Sequence, residues 1–173
     1  APDGIDEKLS RSLAQLEVGG RDVLDHIRDL AVGHGWTQDL AKFGALVGAD
    51  LQLCPDDDPH ACALYFYTEA GDHIGYHYDT SYYRGARYTV LLGLVQDASS
   101  RLLCRLHTRR RDRAAEDLAV ETLPGSLVVF NGDRVYHAVS PARPGDRRVM
   151  LTLEYVTSRE MGRAQRLFSD LKD

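Results

Sequence analysis

LPGSLVVFNGDRVYHAVSPARPGDRRVMLTLEY, residues 123–155, decides the fold. Short runs of Val, Leu, Phe and Tyr alternate in it with Gly, Asp, Pro and Ser, the texture of strands and turns rather than of helix. It predicts strands over 126–130, 135–139 and 147–157. The same texture runs back to residue 61, giving further strands at 61–69, 74–79, 87–95, 101–107 and 118–123, with 112–117 a loop or one helical turn. Eight short strands at this spacing imply a mainly β domain, a sandwich or barrel of the jelly-roll (double-stranded β-helix) type.

Outside this core the period changes. Leu13, Leu16, Val23, Leu24, Ile27, Leu30 and Ala31 recur at three- and four-residue steps, and Trp36, Leu40, Phe43 and Leu46 continue them. Residues 1–48 therefore read as helical support packed on one side of the barrel. Cys54–His60, with two prolines and Asp56, Asp57 and Asp58, reads as a solvated turn. Met161, Ala164, Leu167, Phe168 and Leu171 suit a closing amphipathic helix over 158–173. A chain of 173 residues can bury one substantial core, and a single domain is expected.

The composition excludes several classes. A formal charge of -5 argues against a domain built to grip phosphate backbones, and the run Arg109, Arg110, Arg111, Arg113 is diluted by Asp112, Glu116 and Asp117. No nucleic-acid partner is expected. Three cysteines without a C-x-x-C pair suggest neither a disulfide framework nor a structural zinc site, so a reducing, cytoplasmic setting fits. No apolar stretch reaches the roughly 18 residues of a membrane span, and the chain reads as soluble. It starts without Met, which leaves a removed leader open.

His77 and Asp79 stand two apart in a predicted strand, where period two sends both side chains to one face and Tyr78 to the other. His137 lies on another predicted strand, flanked at period two by Val135 and Val139. Two imidazoles and a carboxylate on one side of a metal leave positions open, the arrangement of non-haem Fe(II) oxygenases. The plainer readings are a core histidine satisfied by a carbonyl and an exposed hydrogen-bonded turn. Arg148 weighs against them. In the following strand Val149, Leu151 and Leu153 share the face toward the helices. Arg148, Met150 and Thr152 then face inward, where a guanidinium can hold a carboxylate through two parallel hydrogen bonds. Arg147 points to the surface.

This H-x-D, His, Arg pattern, set in YTEAGDHIGYHYD (67–79) and the stretch quoted above, resembles the Fe(II)- and 2-oxoglutarate-dependent dioxygenases, in particular their compact prolyl-hydroxylase-like branch, over residues 61–157. The resemblance implies His77, Asp79 and His137 as iron ligands, with Arg148 and Tyr67 holding the cosubstrate 2-oxoglutarate. Dioxygen would be consumed, succinate and carbon dioxide released, and a C–H bond hydroxylated. Asp79 counts against halogenation, since related halogenases lack that carboxylate. The chain departs from the pattern twice: Met150 stands where many relatives carry a small hydroxyl residue, and Glu154 replaces an aromatic, an inward carboxylate that could touch substrate.

The loop after the clamp, Thr80 to Arg87, holds Tyr82, Tyr83, Arg84 and Arg87 and is the substrate-loop candidate. Its arginines would suit an anionic substrate and its tyrosines a ring. A small-molecule substrate is favoured over a protein side chain, because no machinery for docking an extended chain is visible. A cupin-type metalloenzyme would show an H-x-H pair, and none occurs. A non-catalytic ligand-binding barrel stays open as the alternative from another class. Oligomeric state is not legible.

Overall fold

The computed structural model describes residues 40–55, 58, 60–79 and 81–161. The helices expected before residue 40, Thr80 of the substrate-loop candidate and the closing helix beyond Met161 lie outside the described residues.

All eight expected strands form, and a short ninth precedes them. One antiparallel sheet holds β1 (Gln52–Leu53), β2 (Cys62–Tyr67), β4 (Arg87–Asp97), β7 (Leu127–Asn131) and β9 (Arg147–Val156). In it β4 lies between β7 and β9, and β1 and β2 share the other edge of β9. The second sheet runs β3 (Ile74–His77), β8 (Tyr136–Val139), β5 (Leu102–Leu106), β6 (Glu116–Val120). Tyr67, Leu91 and Met150 from the first sheet meet Leu102, Cys104 and Val139 from the second in one buried cluster, so the core lies between the sheets. This is the double-stranded β-helix that the spacing of strands and turns implied.

The second face of the larger sheet is also buried. Leu51, Val90 and Tyr155 pack there against Leu40, Phe43 and Val47 of α1 (Leu40–Val47). That helix uses the stripe 40, 43, 47, and Leu46, expected on the same face, is 73% exposed. β9 is consequently covered on both sides: Met150 faces the interior, Tyr155 the helix, and the inward parity of Arg148, Met150 and Glu154 holds.

β3 stops at His77 rather than at 79, and both ends of β6 are shifted from the sequence reading. β6 starts at Glu116, because Arg105 opposite it in β5 binds Asp117 in a cross-strand ion pair that hydrophobic patterning cannot register. Residues 122–123 leave the strand because β4 passes close to them. A Cβ on Gly93 would sit 2.3 Å from the Leu123 carbonyl oxygen, so only glycine fits there. On the outer face of the smaller sheet Tyr76, Tyr136 and Tyr78 stack in a row, and the guanidinium groups of Arg105 and Arg109 close its two ends. The basic run is thus partly tied down at Arg109, which also donates to the Asp133 carbonyl at 2.8 Å.

Met150 is 2% exposed at the centre of the interior cluster. Met150→Ala should cost about 2–5 kcal/mol of folding stability, read from urea denaturation, with the cavity left behind supplying part of the loss.

Candidate metal centre

His77 and His137 are direct cross-strand partners, at the end of β3 and the second position of β8. The pairing depends on an irregularity: Ile74 pairs with Val139 and His77 with His137, so β3 uses three steps where β8 uses two. The extra residue re-aims the end of β3, as bulges do beside functional sites. The imidazole centres lie 4.2 Å apart.

Each ring is oriented the same way. Nδ1 of His77 donates to the Gly75 carbonyl at 2.8 Å, and Nδ1 of His137 to the Val135 carbonyl at 3.1 Å. A carbonyl only accepts, so Nδ1 carries a proton and each Nε2 faces the centre, where a metal would take its lone pair. Asp79 lies two residues past the strand end rather than within a strand. Its N–H donates to the Gly132 carbonyl at 3.0 Å. Its Oδ1 is 3.3 Å from Nε2 of His77 and its Oδ2 3.6 Å from Nε2 of His137. One donor atom from each of the three residues lies within 4.8 Å of the others. Side-chain exposure falls from 39% at His77 to 17% at Asp79 and 8% at His137, so the cluster opens to solvent on the His77 side.

The electrostatics suit a cation. Burial pushes the Asp79 carboxyl up, but hydrogen bonds from His77 and Thr89 and the nearby imidazoles outweigh it, and the group stays ionised below its ordinary range. The hydrogen bond to Asp79 raises His77 despite burial, and burial lowers His137. Two neutral imidazole nitrogens and one carboxylate fit a divalent transition metal with positions left open.

Sequence reading missed what surrounds Asp79. Gly132 is placed so that a Cβ would lie 2.7 Å from Asp79 Cβ and 2.9 Å from both Asp79 Oδ2 and Thr89 Oγ1. Thr89, on β4, donates to Asp79 Oδ2 at 2.6 Å and lies 3.1 Å from both Glu154 oxygens. Glu154 is inward, as parity required, and it binds Nε of Arg87 at 3.0 Å.

The substrate-loop expectation needs correcting here. Arg87 is the first residue of β4 and 3% exposed, held between Glu154 and Asp58. Asp58 is accordingly no solvated loop residue: its side chain is 6% exposed and also accepts from the Tyr83 hydroxyl at 2.9 Å. Tyr83 is itself 3% exposed among Cys54 and Val156, and Arg84 reaches outward to Glu160. Tyr82 is half-buried in the same loop. Arg87, Tyr83 and Arg84 are each held by a partner within the protein.

Further along the interior, Arg148 pairs across the sheet with Tyr67, whose ring centre lies 5.0 Å from the guanidinium carbon. Arg148 is 1% exposed. Nε donates to Gln96 Oε1 at 3.1 Å and Nη2 to Thr122 Oγ1 at 3.1 Å, whereas Nη1 is buried without a partner. Among the described residues no carboxylate pairs with this cation, and burial lowers its pKa. Burial pushes the Tyr67 phenol up to about 12, which keeps it a neutral donor. Gln96 and Thr122 carry no sequence signal of their own; only the fold brings them to Arg148.

No protein-family model matches the sequence, and no curated protein matches it. Solved structures do. An oxidoreductase of the 2OG-Fe(II) oxygenase family from Burkholderia pseudomallei is similar with a TM-score of 0.56 at 18% identity, covering 80% of this chain and 59% of its own. The nickel complex of the non-haem monooxygenase ThoJ gives 0.53 at 16% identity over 90% and 72%. A Pseudomonas putida prolyl-4-hydroxylase reaches 27% identity with a TM-score of 0.43, over 57% and 51%. The chain thus spans 59% of the Burkholderia protein and 51% of the prolyl-4-hydroxylase. The first two comparisons show a shared fold, with a 2OG-Fe(II) oxygenase family structure and with a non-haem monooxygenase.

Two outcomes test this geometry. Gly132→Ala should displace Asp79 or Thr89 and weaken binding of a divalent metal such as Co(II), read by calorimetric titration, while the protein stays folded by circular dichroism. Glu154 has its pKa raised from 4.5 to about 8, by burial first and then by Asp79. The folded protein therefore holds a proton there that the unfolded chain releases, and metal-free stability should fall as pH rises from about 4.5 to 8. Glu154→Gln should flatten that slope in urea melts taken across the window.

Proposed function

We propose that the protein is an Fe(II)- and 2-oxoglutarate-dependent dioxygenase that hydroxylates a C–H bond of an organic substrate. The observation that carries this reading is a three-donor metal set and a buried guanidinium without an acid, both on the inner faces of one double-stranded β-helix. Nη1 of Arg148 is the one buried donor of that guanidinium without a partner. Leaving a charge buried and unpaired costs several kcal/mol, so a carboxylate ligand is the natural partner for Nη1.

His77, Asp79 and His137 would hold iron through the two Nε2 atoms and one carboxylate oxygen. Iron and 2-oxoglutarate, when bound, would supply oxidative decarboxylation of the keto acid coupled to insertion of one dioxygen atom into the C–H bond. Arg148, fixed by Gln96 and Thr122, would direct Nη1 at the distal carboxylate, and the neutral Tyr67 hydroxyl would add a donor. Leu91, Leu102 and Met150 keep water from that end of the interior.

Substrate, small molecule or peptide, would enter on the exposed His77 side. Tyr65 supports this: it shares the inward parity of Tyr67 on β2 yet is 39% exposed. Burial raises its pKa first, and the charges of Asp79 and Glu154 add to it, which puts the ring beside the centre. We take Tyr65 as an aromatic contact of the substrate, in place of the buried Tyr83 and Arg87. The free thiols Cys54, Cys62 and Cys104 fit a reducing compartment such as the cytoplasm. Among the described residues no helix is long and apolar enough to cross a membrane.

Anaerobic protein given Fe(II) and 2-oxoglutarate should develop a weak visible charge-transfer band. His77→Ala and Asp79→Ala should abolish it. Arg148→Ala should keep the iron and raise the half-saturating 2-oxoglutarate concentration about ten- to hundredfold, the loss of a charged hydrogen bond of about 1.5–3 kcal/mol. A normal band with unaltered iron content in Asp79→Ala would overturn the assignment.

A further inference from the structure

We propose that Thr89 is a positioning residue for the metal-binding carboxylate, and that the buried chain Asp58, Arg87, Glu154 fixes which way its hydroxyl points. The inference rests on the reading of His77, Asp79 and His137 as a metal centre and adds to it the groups that select the liganding oxygen.

Hydrogen-bond accounting carries the argument. Thr89 Oγ1 has one proton and lies 2.6 Å from Asp79 Oδ2 and 3.1 Å from both Glu154 oxygens. A hydroxyl cannot donate to two acids at once. The shorter contact, to Asp79 Oδ2, takes the proton. The contact to Glu154 then holds only if Glu154 is the donor, its acid proton directed at Oγ1. Arg87 Nε donates to Glu154 Oε2 at 3.0 Å, so the acid proton belongs on Oε1. Arg87 is held on its far side by Asp58 at 3.7 Å, and Asp58 is fixed by the Tyr83 hydroxyl at 2.9 Å and the His60 N–H at 2.8 Å. The bonds run in one direction: Arg87 to Glu154, Glu154 to Thr89, Thr89 to Asp79. Burial beside Asp79 agrees with it, raising Glu154 to about 8.

The consequence falls on Asp79. With Oδ2 occupied by the Thr89 proton, Oδ1, on the His77 side, is the oxygen left for the metal. Single-oxygen ligation keeps a coordination position free that a chelating carboxylate would fill. Outer-shell groups of this kind orient metal ligands and influence affinity about as strongly as some ligands do. The missing Cβ of Gly132 provides the space in which the Thr89 and Asp79 oxygens meet.

The test uses Co(II) alone, with affinity from calorimetric titration and ligand geometry from the visible Co(II) spectrum. Thr89→Val keeps the shape and removes the proton. It should lower Co(II) affinity about ten- to hundredfold and alter the spectrum, and Thr89→Ser should restore both. Glu154→Gln can donate from its amide to Thr89 and accept from Arg87, and should bind Co(II) within the same order of magnitude as the parent. Circular dichroism and urea melts exclude variants that are merely unfolded. A folded Thr89→Val protein with parental affinity and spectrum overturns the role of Thr89, and a Glu154→Gln protein as weak as Thr89→Val overturns the protonated direction. Undiminished Co(II) binding by His77→Ala would instead sink the metal-centre reading beneath both.

Discussion

The register between β3 and β8 is the constraint on which the site depends. Antiparallel pairing fixes which side chains oppose one another, and a slip of one residue would turn His77 to the outer face, where Tyr76 and Tyr78 stack with Tyr136. The irregularity between Ile74 and His77 is therefore structural machinery rather than a defect. It brings two imidazoles to adjacent positions on the inner face and leaves the Gly75 carbonyl where it can take the His77 Nδ1 proton. The same backbone that sets the pairing thus also sets the tautomer. Asp79 needs a further constraint because it lies beyond the strand, and the bond from its N–H to Gly132 supplies it by tying the end of β3 to the turn after β7.

Two buried arginines on the inner face of the larger sheet divide the chemistry between them. Arg87 has two acids, Glu154 and Asp58, and its charge is satisfied within the protein. Arg148 has only neutral oxygens and an aromatic face, with one donor left over. Both charges are equally removed from water, so the difference lies in their partners and not in their burial. A satisfied buried pair holds geometry, while an unsatisfied cation marks the place of a ligand. The sequence shows two inward arginines; only the fold shows that one of them is already matched.

Much of this was legible before any coordinates. Period-two alternation and turn residues located the eight main strands, because both signals are local and strong. Inward parity on β9 followed from the same rule and correctly turned Arg148, Met150 and Glu154 to the interior. His77 and Asp79 converge as expected, although for another reason: the period-two argument assumed a strand through residue 79, whereas a tertiary hydrogen bond places Asp79. What escaped reading is non-local. Asp58 looks like a solvated acid in a Pro-rich turn until Arg87 and Tyr83 arrive from elsewhere in the chain. Thr89, Gln96 and Thr122 are ordinary strand-edge polar residues in sequence. Gly132 provides space for the Asp79 and Thr89 oxygens, which no local pattern encodes.

The departure at Glu154 gains its meaning from these partners. An aromatic residue there could not accept from Arg87, which would then stand buried with Asp58 as its sole acid. With Glu154 present the guanidinium is drawn back into the wall and the polar group nearest the centre becomes the Thr89 hydroxyl. Arg87, the cation of β4, is thus already held by the protein itself. Recognition of an anionic group by Arg87, reasonable from sequence, is opposed by the protein's own carboxylates. The buried polar groups around Thr89 are left to hold the Asp79 carboxylate in place.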